Sequence, residues 1–139
     1  MNGTNFTVMN AGPFDGLLQA PEGPPGKCYL KDRLGLTGME VSLNQLPSGG
    51  AVPFYHKHRE NEELYVFTGG RGQFQVDGRI FEVREGTAVR VGPEGERALR
   101  NSGTEDLYFI VVQVQANSLK QWEMADAILS DNPVDWPVA

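Results

Sequence analysis

Residues 49–70 read GGAVPFYHKHRENEELYVFTGG, and they contain both histidines of the chain, His56 and His58. In an extended segment successive side chains point to opposite faces. Val52, Phe54, His56 and His58 then share one face, and Pro53, Tyr55 and Lys57 the other. A face that carries Val and Phe belongs to a core, so both imidazoles are expected to point inward. Histidines at i and i+2 on a strand have Cα atoms about 6.6 Å apart, and their rings can converge on one ion at bond lengths of about 2.0–2.1 Å. The run RENE that follows reads as a turn. After it a strand starts at Glu62 or Glu63 and brings a carboxylate opposite the imidazoles. Two neutral nitrogens and one anionic oxygen make a donor set that suits iron, manganese, zinc, nickel or copper. The plain alternative is a charged turn beside two hydrogen-bonded histidines, and short motifs of this kind often arise by chance.

Outward from this stretch, short alternating segments are separated by turn residues. KCYLK, GMEVSLNQLPSGG with alternation over Met39 to Gln45, AVPFYHKH, EELYVF, GQFQV, RIFEV, TAVRV, RALRN and LYFIVVQVQ amount to about nine strands, and 17 glycines and 9 prolines supply the turns. This density of short strands predicts a sandwich or barrel rather than a βαβ array. Asp77-Gly78 between two of the segments is a strong hairpin signal. One stretch departs from the pattern. Residues 118–128, SLKQWEMADAI, begin with a Ser cap and put Leu119, Trp122, Met124 and Ala125 near one side of a helix. The tail after it carries two prolines and Trp136 and is expected to pack against the barrel or a second subunit.

A chain of 139 residues fits one domain. Its net charge is −6 and its 12 basic residues are scattered, which argues against a nucleic-acid partner. Cys28 is the only cysteine, so an internal disulfide is excluded, and the N-terminus lacks a basic region followed by an apolar run. A cytoplasmic location is expected. No apolar run approaches the ~20 residues that span a bilayer, so no membrane partner is expected.

The 49–70 stretch resembles the first motif of the cupin superfamily: a glycine, five residues, His-x-His, three or four residues, Glu, six residues and a glycine. Gly50, His56, His58, Glu63 and Gly70 fall at those spacings. Residues 86–101, GTAVRVGPEGERALRN, resemble the second motif, a glycine, five residues, Pro-x-Gly, two residues, His, three residues and Asn. Here six residues separate Gly86 from Pro93, the Pro93-Glu94-Gly95 step is intact, Asn101 closes the motif one residue early, and no histidine is present. Counting back from Asn101 puts Arg97 at the place of the family's fourth ligand, and counting forward from Gly95 puts Ala98 there. Arg97 is preferred because it alternates in phase with Leu99.

The resemblance implies an all-β fold, a cupin-type jelly-roll β-barrel (double-stranded β-helix) with a short C-terminal helix. Residues 1–37 would be an N-terminal extension packing on the barrel, residues 38–116 the barrel, and residues 117–139 the C-terminal helix and tail. It further implies one divalent transition metal per chain held by His56, His58 and Glu63, a small-molecule ligand and a homodimer. An Arg97 facing the cavity needs an anionic partner, with Glu62 at hand, or a small acid bridging it to the metal. Phe54 and Tyr65 are expected to pack near the site. Gln45, Gln73, Gln75, Gln113 and Gln115 alternate with apolar residues; one set could line a pocket, and the outward faces of amphipathic strands are the preferred reading. Three functions fit: a metalloenzyme of dioxygenase or isomerase type acting on a small oxygenated compound, a non-catalytic module that binds or senses an acid or sugar, or a structural cupin.

Overall fold

The computed structural model describes residues 1–121 and 124–138. Eight strands form two antiparallel sheets. They are β1 (Lys27–Tyr29), β2 (Glu40–Leu46), β3 (Asn61–Gly69), β4 (Arg71–Val76), β5 (Arg79–Arg84), β6 (Ala88–Val91), β7 (Arg97–Arg100) and β8 (Leu107–Gln115). The larger sheet runs β1-β2-β8-β3-β6 and the smaller β5-β4-β7. This is the all-β architecture of a double-stranded β-helix. The sheets meet across an aromatic layer, in which the Phe74 ring lies 4.8 Å from Tyr65, 6.4 Å from Phe67 and 5.6 Å from Phe81. Val83, Val89, Val91, Leu99, Leu107, Phe109 and Val111 complete the core.

Strands β3, β4, β6, β7 and β8 alternate buried and more exposed residues, as half-buried antiparallel strands do, whereas β5 buries only Val83. In β3 this buries Glu63, Tyr65 and Phe67 and turns the residues between them outward. The Asp77-Gly78 turn joins β4 to β5 with φ of +50° and +81°, values that Asp and Gly tolerate and that match the twist of a two-residue hairpin.

The ninth expected strand is not formed. Residues 51–58 run beside β7 with only isolated bridges, Ala51 to Arg100 and His56 to Arg97. Val52 N donates to Leu99 O and His56 N to Arg97 O, so the pairing slips by two residues between them and no continuous ladder forms. Inward alternation persists at Val52, His56 and His58, whereas Phe54 is exposed at the rim. The C-terminal helix is much shorter than 118–128: among the described residues it is one 3-10 turn, Met124–Asp126. Short helices depend on packing for stability, and Leu119 and Ile128 are 75% and 93% exposed. Trp122, expected on the packed side of that helix, lies outside the described residues.

The N-terminal segment contributes to the larger sheet through β1 and carries a 3-10 helix, Phe14–Gln19, with Leu17 buried. Gln45 fastens it. Its Oε1 accepts from Leu18 N at 2.9 Å, and its Nε2 donates to Asp15 O at 3.1 Å and Asp106 Oδ2 at 2.8 Å. Among the described residues no helix is long and apolar enough to cross a membrane.

Candidate metal centre

His56 and His58 come from the bridged segment beside β7 and Glu63 from β3, so the two sheets supply opposite sides of the site. Their candidate ligand atoms all lie within 4.8 Å of one another. His58 Nε2 stands 3.3 Å and His56 Nε2 3.6 Å from Glu63 Oε1. The imidazoles meet edge to face with ring centroids 5.2 Å apart. Metal bonds of about 2.0–2.2 Å at tetrahedral or octahedral angles put donor atoms about 3.0–3.5 Å apart. His56 Nδ1 and His58 Nε2 are buried without a hydrogen-bond partner. Donor types, the approach of both Nε2 atoms to Glu63 Oε1 and the unpartnered His58 Nε2 fit a divalent transition metal.

Arg97 faces the interior and is 1% exposed, the largest of the fully buried side chains. Its Nη1 donates to Glu63 Oε1 at 2.8 Å and its Nη2 to Gly92 O at 2.7 Å. The same Oε1 accepts from Tyr65 Oη at 2.8 Å, and Gln113 Nε2 approaches Oε2 at 3.5 Å. A carboxylate offers about four lone-pair positions; two are taken on Oε1, and Oε2 is lightly used. The expected Glu62–Arg97 pairing does not form. Glu62 is one residue out of phase with Glu63 and Tyr65, stands on the other face of β3 and does not line the cavity. Two of the five guanidinium N–H groups are used in this way, and Arg97 Nε is buried without a partner.

Burial lowers the His56 pKa; the Glu63 charge opposes this, and Arg97 and His58 add to it. The Tyr65 phenol is pushed well above its ordinary value, chiefly by burial and then by the Glu63 charge. It therefore stays a hydrogen-bond donor to the carboxylate. The site opens into a cavity of about 480 Å³, within the range of small-molecule pockets. Phe54 and Tyr65 line it, together with Gln113, which sequence reasoning had turned outward. The signal for Gln113 was its phase with Leu107, Phe109 and Val111, the buried set of β8. Gln45 is likewise buried, while Gln73 and Gln75 bond on the surface, to Glu82 and Arg100 and to Tyr55.

The model of the family described as the cupin domain matches residues 43–113, about half of the chain. The chain belongs to the cupin family. A cupin protein from Bacteroides fragilis is 34% identical, with a TM-score of 0.79 over 92% of this chain and 99% of that one. A predicted oxalate decarboxylase from Thermotoga maritima is 27% identical, with a TM-score of 0.52 over 54% of this chain and 64% of its own. An uncharacterized protein of Methanocaldococcus jannaschii is 33% identical over 58 residues, 42% of this chain. The match spans 46% of that curated relative, less than half its length.

Proposed function

We propose that this cupin is a metal-dependent enzyme acting on a small oxygenated compound, with His56, His58 and Glu63 holding one divalent transition metal. The observation that carries the proposal is the convergence of His58 Nε2 at 3.3 Å and His56 Nε2 at 3.6 Å on Glu63 Oε1, with His58 Nε2 buried and unpartnered, at a cavity of about 480 Å³. When bound, the ion would polarise a substrate oxygen or activate dioxygen. Arg97 and Tyr65 orient Glu63, and Arg97 shares its negative charge, which makes the carboxylate a weaker donor and the ion a stronger Lewis acid. With arginine in place of a fourth imidazole, more than one coordination position is left to substrate or water. The apolar walls formed by Val52, Phe109 and Val111 limit bulk water. The predicted oxalate decarboxylase among the similar structures supports chemistry on small oxygenated acids. Metal analysis of protein purified without a His tag is expected to find about one ion per chain, and His58→Ala to remove most of it while leaving a folded barrel. Metal content unaffected by that substitution refutes the ligand assignment.

Capture of a small acid or sugar without turnover is the second reading. It is favoured by one observation: Arg97 already gives Glu63 its counter-charge at 2.8 Å. Wild-type protein that binds no metal selects it.

A cytoplasmic homodimer belongs to the same proposal. Leu129, Val134, Trp136 and Val138 in the tail and Phe6 and Val8 in the N-terminal extension are exposed, an apolar surface suited to an interface. Light scattering is expected to give twice 15.3 kDa; the monomer mass refutes it.

A further inference from the structure

The cavity has a second polar wall, formed by β1 and β2. Their register sets Lys27 opposite Asn44 and Tyr29 opposite Ser42. Residues opposite one another in an antiparallel pair project to the same side, and all four line the cavity that holds His56, His58 and Glu63. Across β8, Asn44 faces Phe109 and Ser42 faces Val111, and β8 in turn pairs with β3. β1 thus lies three strands from β3, about 14 Å along the sheet at the usual spacing. The metal centre and this wall are opposite ends of one cavity.

Two polar groups on the wall lack partners. Among the described residues no carboxylate lies within 4.0 Å of Lys27 Nζ, and the ammonium sits 5.6 Å from the centre of the Tyr29 ring. Burial lowers its pKa, and the negative charge of Glu63 opposes the shift. The neighbouring Glu40 carboxylate is engaged elsewhere, its Oε1 accepting from Lys31 N and Val41 N. Asn44 is 2% exposed. Its amide nitrogen donates to Ser42 O at 3.1 Å, Ser42 Oγ at 3.0 Å and Phe109 O at 3.3 Å. Two of these are backbone carbonyls that only accept, so the amide cannot be turned round, and Oδ1 is buried without a donor. A half-buried cation without a counter-ion and a buried acceptor without a donor, on residues paired across two strands, would both gain from a ligand that satisfies them.

We infer that this wall is the recognition subsite for a small polyhydroxylated anion, with Lys27 binding its carboxylate or phosphate and Asn44 Oδ1 accepting from one of its hydroxyls. The inference names the substrate class of the site proposed above and rests on that reading only for the far oxygens of the molecule, which reach toward His56, His58 and Glu63. Lys27 lies outside residues 43–113, the segment that matches the cupin model.

The test is titration calorimetry of the full-length protein with D-gluconate, glucose 6-phosphate, sorbitol and hexanoate. Wild type is expected to bind gluconate or glucose 6-phosphate more tightly than sorbitol, which lacks the charge, and hexanoate, which lacks the hydroxyls. The better of the two anions shows whether carboxylate or phosphate is the natural group. Lys27→Met is expected to lose about tenfold or more of that affinity, as removal of a charge-assisted hydrogen bond does, and Lys27→Arg to keep most of it. Metal content and unfolding temperature of Lys27→Met report that centre and fold persist. Equal binding of sorbitol, no binding of either anion, or Lys27→Met affinity within twofold of wild type overturns the inference. His58→Ala separates the two proposals: its metal content tests the centre, whereas Lys27-dependent anion binding is read independently in the same titration.

Discussion

Arg97→Leu isolates the contribution of the ion pair at the centre. The substitution keeps an apolar side chain in the space but removes the guanidinium, leaving Glu63, which is 6% exposed, with Tyr65 and Gln113 as its remaining partners. Breaking a buried pair by deleting one partner costs about 3–5 kcal/mol. At roughly 3–5 °C per kcal/mol for a chain of this size, the metal-free protein should melt about 10–20 °C lower. A divalent ion at His56, His58 and Glu63 supplies the positive charge that the variant lacks. The rise in melting temperature on adding Mn(II) or Zn(II) is therefore expected to be larger in Arg97→Leu than in wild type. Scanning calorimetry of both proteins, in EDTA and then with excess metal, measures the two increments. Equal increments, or a metal-free loss under about 1 kcal/mol, would refute the view that Arg97 and a metal neutralise the same carboxylate.

Arg97→His is expected to raise metal affinity by adding a fourth imidazole, readable by competition with a chelating dye. Lys27→Met should raise the stability of ligand-free protein at neutral pH, because the folded state no longer desolvates an ammonium. The sign in pH follows from the lowered pKa of Lys27: the wild-type cost is present at low pH and disappears as pH rises through the folded pKa toward 10.5, so wild type and variant should converge there in urea unfolding. Gly70→Ala should cost more than about 2 kcal/mol, since φ is +82° and a Cβ would collide with the Asp106 carbonyl oxygen; a smaller loss in denaturant melts counts against that close approach. Phe74→Ala should cost about 3–5 kcal/mol, as its ring has no exposed surface at the meeting of the sheets.

Eight of the strands were legible as short, mostly alternating segments bounded by turn residues, and the proximity of His56, His58 and Glu63 followed from a local turn between two short segments. The ninth strand is lost because its pairing with β7 slips by two residues between Val52 and His56, which alternation does not report. The C-terminal helix is one 3-10 turn among the described residues, with Leu119 and Ile128 exposed on either side of it, which helical spacing does not report. Arg97 could be turned inward by its phase with Leu99, but its partner could not be chosen: Glu62 and Glu63 are adjacent in sequence and opposite in space. Lys27 and Asn44 were beyond reach because they meet only through the β1–β2 register, 17 residues apart along the chain.

Two of the three bonds of Gln45, to Leu18 N and Asp15 O, join the N-terminal segment to the barrel, and the third, to Asp106, stays within the barrel. On one side of this joint is the barrel with His56, His58, Glu63 and Arg97; on the other, the N-terminal segment that leads to β1 and Lys27. Leaders from other cupins that keep the Gln45 contacts could be grafted at this joint, giving a barrel of fixed chemistry a different appetite.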